Sequence, residues 1–208
     1  MPPQIDTSGY TIQSVDYYKR ALACYDAVPK TGSVAFLFYS ALEARNGIER
    51  LLYEYLVVFG HPQWDPRWER NGLYRPADLK RHILNVEPEF DRKLQFTGVV
   101  ASGGSGVGVY PIDLDKMSEM YGRLGRFLHA PKMPEDSVQD SAWWGELQAR
   151  LVETLEILRD VYSQVVGGVQ FHNGGEELYQ RWKAGGLTDD QVRSEFWGDE
   201  DDAADDSA

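Results

Sequence analysis

The chain of 208 residues contains one cysteine, Cys24, so it can form no internal disulfide and no cysteine-rich zinc site. It also has no long uncharged apolar run. The longest such run, residues 34–42, is far shorter than the roughly 20 residues that span a bilayer. Residues 1–6 show neither the basic region nor the apolar core of a secretory signal peptide. These absences predict a soluble, cytoplasmic protein that does not enter a membrane.

Positive charge is scarce, since 21 Lys and Arg stand against 33 Asp and Glu, a net charge of −12. Six of the acids lie in the last ten residues, which leaves residues 1–198 with 21 basic and 27 acidic side chains, net −6. An acidic surface opposes broad binding to duplex nucleic acid, which depends on neutralising phosphates. It leaves room for a small basic pocket. The 42% apolar and 12% aromatic content is typical of a globular chain.

The spacing of apolar residues predicts a mainly α protein, with helices over 14–28, 33–59, 77–85, 114–128, 141–166, 176–183 and 189–197. Ser14, Asp113 and Thr188 are the expected N-caps. Residues 94–112 have a different character, because β-branched and aromatic residues flank a Gly/Ser-rich stretch, and they predict a β-hairpin or a loop. The expected fold is an up-and-down helical bundle with this small insertion.

We divide the chain into a helical bundle over residues 1–166, a C-terminal extension with short helices over 167–197, and a disordered acidic tail over 198–208. The glycine-rich residues 103–108 lack the Lys-Ser/Thr that completes a phosphate-binding loop. The four histidines show no metal-ligand spacing. The sequence therefore predicts no cofactor and no metal site.

Arg45 and Glu49 stand out on the long second helix. On a helical wheel they fall among Phe38, Leu42 and Leu52, whereas Glu43 marks a solvated stripe with Ser40, Gly47, Arg50 and Glu54. Because Arg45 and Glu49 are four residues apart, they can pair along the helix. A buried ion pair that fixes helix packing is one interpretation. The other is the wall of a pocket whose charges act on a ligand.

The helix over residues 114–128 carries the second group of candidates. Its apolar face holds Met117, Tyr121, Leu124 and Leu128. The opposite stripe holds Glu119, Gly122, Arg126 and His129, with Arg123 at its edge. An arginine for phosphate charge and a histidine for proton transfer are the minimum parts for cleaving RNA without a metal ion. The alternative is structural, with His129 closing the helix end and Arg126 pairing with Glu119 or solvent.

Residues 40–52 on the long helix, together with residues 121–130, resemble a HEPN domain (higher eukaryotes and prokaryotes nucleotide-binding). The resemblance covers residues 14–166 and implies a four- to five-helix bundle. Many members are metal-independent ribonucleases whose signature is Arg, four to six residues, then His. Arg123 and His129, with five residues between them, fit this signature. Leu124 departs from it, because active members commonly carry a polar residue directly after the arginine.

We therefore name Arg123, Arg126 and His129 as candidate catalytic residues, and Arg45, Asn46, Glu49 and Tyr121 as candidate binding residues. The resemblance implies RNA binding or metal-independent RNA cleavage, in prokaryotic antiviral defence or toxin–antitoxin systems, by a homodimer with a partner protein. The alternative, which the acidic charge and Leu124 favour, is a non-catalytic interaction or dimerisation module of a larger complex.

Overall fold

The computed structural model describes residues 13–60, 75–103, 112–129, 141–163 and 173–198. Within these ranges it contains eight helices and no strand, which confirms the mainly α prediction. The helices are α1 (Ser14–Thr31), α2 (Ala35–Gly60), α3 (Pro76–Val86), α4 (Phe90–Gly103), α5 (Leu114–Leu128), α6 (Ser141–Ser163), α7 (Asn173–Lys183) and α8 (Asp189–Trp197). None of them is long and apolar enough to cross a bilayer in this part of the chain.

Local capping signals set the start of two helices as predicted. Asp113 Oδ1 accepts hydrogen bonds from the backbone N–H groups of Asp115 at 2.8 Å and Lys116 at 2.9 Å, and α5 begins at the next residue. Thr188 and Gln191 form a capping box at the start of α8, each side chain accepting from the other's backbone N–H. These donors have no partner inside a helix, so the side chains supply one.

The first helix differs from its prediction at both ends. Gln13, and not Ser14, is the N-cap, and the Asp16 carboxylate accepts from the Gln13 N–H at 3.0 Å. At the other end, α1 passes through Pro29 and stops at Gly32, whose φ of 65° is left-handed. A proline in the last turn removes one N–H but does not prevent the helix from closing, and Gly32 supplies the turn that ends it.

The β-hairpin predicted within residues 94–112 is wrong for its described part, because residues 90–103 form α4. Phe90, Leu94, Thr97 and Ala101 are buried at helical spacing along one face. Packing of that face outweighs the weak helix preference of the β-branched residues Thr97 and Val100. Residues 104–111 of the predicted insertion lie outside the described residues.

The chain divides into two compact units. The first unit comprises Met1–Leu51 and Met120–Leu155, so it takes α1, the first half of α2, the end of α5 and the first part of α6. Its core is aliphatic and fully buried, and includes Ala21, Ala44, Ile48, Leu124, Leu147 and Leu151. Most of the residues that the sequence singled out lie in this unit.

The second unit comprises Leu52–Glu119 and Glu156–Ala208. Within it, the short helices α7 and α8, which the sequence predicted, pack on α4 through a small cluster of Phe96, Val100, Leu178, Tyr179 and Val192. Charged side chains close the edge of this cluster, since Lys93 Nζ lies 2.9 Å from Glu87 and 3.2 Å from Glu176. The tail predicted over 198–208 begins at the last described residue and otherwise lies outside the described residues.

Candidate functional site

Arg45, Tyr121 and Glu49 form a short polar chain between α2 and α5 in the first unit. Arg45 Nη2 donates a hydrogen bond to the Tyr121 hydroxyl, and that hydroxyl donates to Glu49 Oε1. The guanidinium also stands over the Tyr121 ring, with its carbon 4.1 Å from the ring centroid. One tyrosine therefore stabilises the arginine through both its ring and its hydroxyl.

The expectation of a buried pair along α2 is corrected in two respects. Arg45 and Glu49 are half-buried, and they are joined through Tyr121 of a different helix. Desolvation, followed by the hydrogen bond to Glu49, raises the pKa of the Tyr121 hydroxyl. The hydroxyl therefore keeps its proton and its donor role at neutral pH.

Gly125 of α5 faces Arg45. A Cβ atom at this position would lie 3.7 Å from Arg45 Nε, an ordinary van der Waals distance, so the guanidinium packs against this part of α5. Gly125 itself is buried, although the sequence offered only its small size as a signal. Of the four candidate binding residues, the structure joins Arg45, Glu49 and Tyr121, and places Asn46, half-buried, beside Arg45 on α2.

The stripe of α2 predicted to be solvated packs against α1 instead. Ser40 is fully buried, and its hydroxyl donates to the Ala21 carbonyl at 2.6 Å. A Cβ atom at Gly47 would lie 3.2 Å from Tyr17 Cβ, so the two helices are close at this point. Small residues at these positions allow a contact that a wheel centred on Glu43 does not reveal.

The three candidate catalytic residues divide into two groups. Arg126 and His129 are exposed, three residues apart, at the C-terminal end of α5. Arg123 is half-buried, and its Nη1 lies 3.6 Å from Glu153 Oε2. The backbone N–H of His129 donates to the Gly125 carbonyl at 3.2 Å, so the helical hydrogen bonding of α5 extends as far as His129. Arg126 is therefore the arginine that accompanies His129 at the surface.

An aromatic cluster near this helix end was not identified in the sequence. The rings of Phe38 and Phe127 lie 6.1 Å and 5.3 Å from the Trp143 ring, and Trp144 lies 4.7 Å from Trp143. The start of α2, the end of α5 and the start of α6 therefore meet. The Trp-Trp pair at the start of a helix was the only signal in the sequence, and it carried no information about its partners.

Charge is divided unequally between the two units. The first unit has nine Lys and Arg against ten Asp and Glu, net −1, whereas the second has 12 against 23, net −11. The acidic balance that opposes nucleic-acid binding thus belongs to the second unit. The unit that holds Arg45, Arg126 and His129 is close to neutral.

Across the described ranges, no group of three or more His, Cys, Asp or Glu side chains lies close enough to hold a metal ion. Comparison with protein-family models, with curated proteins and with solved structures finds no match.

Proposed function

We propose that this chain is a HEPN-like domain that binds RNA at the C-terminal end of α5 and cleaves it without a metal ion. The observation that carries the proposal is the pair of exposed side chains Arg126 and His129, one helical turn apart at that end. In this proposal Arg126 stabilises phosphate charge, His129 transfers protons, and Arg123 supports α5 through Glu153.

The reaction uses the substrate's own nucleophile. The 2′-hydroxyl oxygen attacks the adjacent phosphorus, its proton passes to a base, and the bond from phosphorus to the 5′-oxygen breaks as that oxygen gains a proton. The products are a 2′,3′-cyclic phosphate and a 5′-hydroxyl. A histidine suits either proton transfer near neutral pH. A fixed guanidinium stabilises the extra negative charge that develops on the phosphate oxygens.

The distribution of charge supports RNA binding at the first unit. Because that unit is nearly neutral, a phosphate near Arg126 and His129 meets less repulsion than it would at the second unit. Exposed charges also act within a Debye length of about 8 Å at physiological salt. Local cations can therefore dominate even though the whole chain is acidic.

The test is a cleavage assay on a single-stranded RNA with wild type, His129→Ala and Arg126→Ala, each with and without EDTA. Loss of a proton-transfer residue lowers rates by about 10²–10⁴-fold. The cleavage rate of His129→Ala should therefore fall by that factor, with its melting curve unchanged. Arg159→Ala is the matched control, because Arg159 is an exposed helical arginine of the second unit. Cleavage that EDTA stops, or that His129→Ala retains, refutes the mechanism.

From the resemblance we also propose that the protein acts in prokaryotic defence or a toxin–antitoxin system, with a partner protein that restrains it. Under that proposal, induced expression of the wild type arrests bacterial growth, whereas His129→Ala does not. Equal growth of the two strains at equal protein levels would remove this part of the proposal.

A second function, a non-catalytic dimerisation or interaction module, is favoured by one observation. Val34, directly before α2, and Tyr39 and Leu42, in the first turns of α2, are 49%, 56% and 40% exposed. Apolar side chains grouped on one helix commonly mark a contact surface. In this function the chain forms a homodimer in light scattering, Leu42→Glu makes it monomeric, and no RNA is bound by either form.

A further inference from the structure

The C-terminal end of α8 presents two neighbouring aromatic side chains to solvent. Phe196 is 37% exposed and Trp197 is 47% exposed, whereas Phe90, Phe96 and Tyr179 of the same unit are fully buried. An aromatic ring left partly in water forgoes part of the free energy that burial would provide. Phenylalanine and tryptophan are enriched in protein interfaces relative to the rest of the surface. This end of α8 is therefore a candidate contact surface.

The two rings are held in place by each other and by α4. Their centroids are 5.2 Å apart with an interplanar angle of 71°, an edge-to-face arrangement. The Trp197 indole N–H donates to the Val100 carbonyl at 2.7 Å, which ties this ring to the end of α4. One turn earlier in α8, Arg193 Nη1 donates to the Ser102 hydroxyl at 3.1 Å. A ring whose orientation is set before binding loses little conformational entropy when a partner packs on it.

The charge next to these rings is negative. The helix α8 carries three acids and one base, namely Asp189, Asp190, Glu195 and Arg193. Asp190, whose side chain is 90% exposed, lies seven residues before Trp197 and so on the same face of α8. Directly after the helix, residues 199–208 contain six acids and no basic residue. The second unit as a whole has a net charge of −11. A partner that is complementary to this surface therefore carries positive charge.

We propose that Phe196 and Trp197 form a docking site for an arginine-rich segment of another protein. A guanidinium group is planar and weakly hydrated, so one arginine stacks on the indole ring while its neighbours pair with carboxylates. The compact, strongly hydrated ammonium of lysine suits this combination less well. The negative charge disfavours nucleic acid as the occupant, because it repels phosphates. This inference concerns the second unit and does not depend on the RNA function proposed for the first.

The experiment measures binding of a short fluorescein-labelled peptide of alternating arginine and serine to the full chain by fluorescence anisotropy. Trp197→Ala should weaken binding by about 5- to 30-fold, the range from an ordinary interface contact to a hot spot. Phe196→Ala should also weaken binding, and it keeps the hydrogen bond between Trp197 and Val100, so its effect does not require loss of that contact. Val57→Ala is the matched control, because Val57 is a 40% exposed apolar residue of the same acidic unit. A second peptide with lysine in place of arginine should bind the wild-type chain more weakly.

Weaker binding of the arginine peptide by both Trp197→Ala and Phe196→Ala, with Val57→Ala equal to wild type, supports the docking site. Equal binding by all four proteins overturns it and means that acidic charge alone holds the peptide. A loss confined to Trp197→Ala, together with a lower melting temperature, assigns the effect to the contact with Val100 and also overturns it. The same holds if the wild-type chain does not bind the peptide. If Trp197→Ala instead weakens binding of a single-stranded RNA, the rings belong to a nucleic-acid surface and the proposal is wrong.

Discussion

The guanidinium carbon of Arg45 lies 4.1 Å above the Tyr121 ring, although 76 residues separate the two in the chain. The Tyr121 hydroxyl extends this contact to Glu49, so one side chain of α5 forms hydrogen bonds with two charged side chains of α2. Arg45 Nε is buried and has no hydrogen-bond partner among the described residues. A half-buried charge without such partners would be costly. The contact therefore fixes where α5 lies along α2, and with it the helix turn that carries Arg126 and His129.

Tyr121→Phe should lower the free energy of unfolding by about 1–2 kcal/mol, because it removes both hydrogen bonds to charged groups and keeps the ring. Partial exposure of the site keeps the effect below that of a fully buried pair. Tyr25→Phe is the control, since Tyr25 accepts a single exposed hydrogen bond, at 3.2 Å from Gln148, and should change little. Urea denaturation measures the stability of both variants. Equal stability of Tyr121→Phe and wild type would contradict a structural role for the hydrogen bonds that join Arg45, Tyr121 and Glu49.

Two helical glycines should respond oppositely to substitution. Gly122→Ala should raise the free energy of unfolding by about 0.5–1 kcal/mol, because a Cβ there has no atom within 4 Å and alanine favours the helix. Gly47→Val should lower it by about 1–3 kcal/mol, because the added atoms press on Tyr17 of α1. The same denaturation series measures both. A gain in stability with Gly47→Val would mean that α1 and α2 are not closely packed at this point.

Acid should weaken the packing of α7 in the second unit. The hydrogen bond from Lys183 lowers the pKa of Glu89, and the hydrogen bond from Gln180, with Lys93 nearby, lowers the pKa of Glu176. A lowered folded-state pKa contributes stability that is present above the unfolded-state value and is lost as the pH falls through the folded-state value. Stability should therefore decline below pH 4.5, the ordinary value for glutamate.

Lys183→Met tests the source of that decline, because it removes the main cause of the Glu89 shift while keeping an apolar stem. Its stability relative to wild type should be lowest at neutral pH, and the two curves should converge in acid. The measurement is thermal unfolding over a pH series. A constant difference between the two proteins at all pH values would show that Glu89 titrates without this partner.

Local signals in the sequence were sufficient for α5 and α8, because a cap and its helix are neighbours in the chain. They were not sufficient for α4, where Thr97, Val99 and Val100 favour a strand locally and the helix is stabilised by contacts with Leu178, Tyr179 and Val192. Such contacts involve residues about 80–90 positions away, so the local strand preference of α4 gives no indication of them. The expected domain boundaries also rest on local composition.

The candidate site shows the same division. Charge within an apolar pattern pointed to Arg45 and Glu49, and spacing pointed to Arg126 and His129. The hydroxyl that joins the first pair and the aromatic rings near the second come from other helices. A helical wheel describes one helix at a time, so it predicts that Ser40 and Gly47 face solvent, whereas α1 packs against both.

The last helix, α8, also supplies hydrogen-bond donors to the C-terminal end of α4, which comes much earlier in the sequence. The Trp197 indole N–H donates to the Val100 carbonyl at 2.7 Å, and Arg193 Nη1 donates to the Ser102 hydroxyl at 3.1 Å. Val100 is among the last four residues of α4, whose carbonyls have no partner within the helix. During synthesis from the N-terminus, the Val100 carbonyl therefore gains this hydrogen-bond partner only after Trp197 has been made. A chain that ends before Thr188 would lack the contacts of Val192 and Trp197 with α4, and this part of α4 would be exposed to chaperones and proteases.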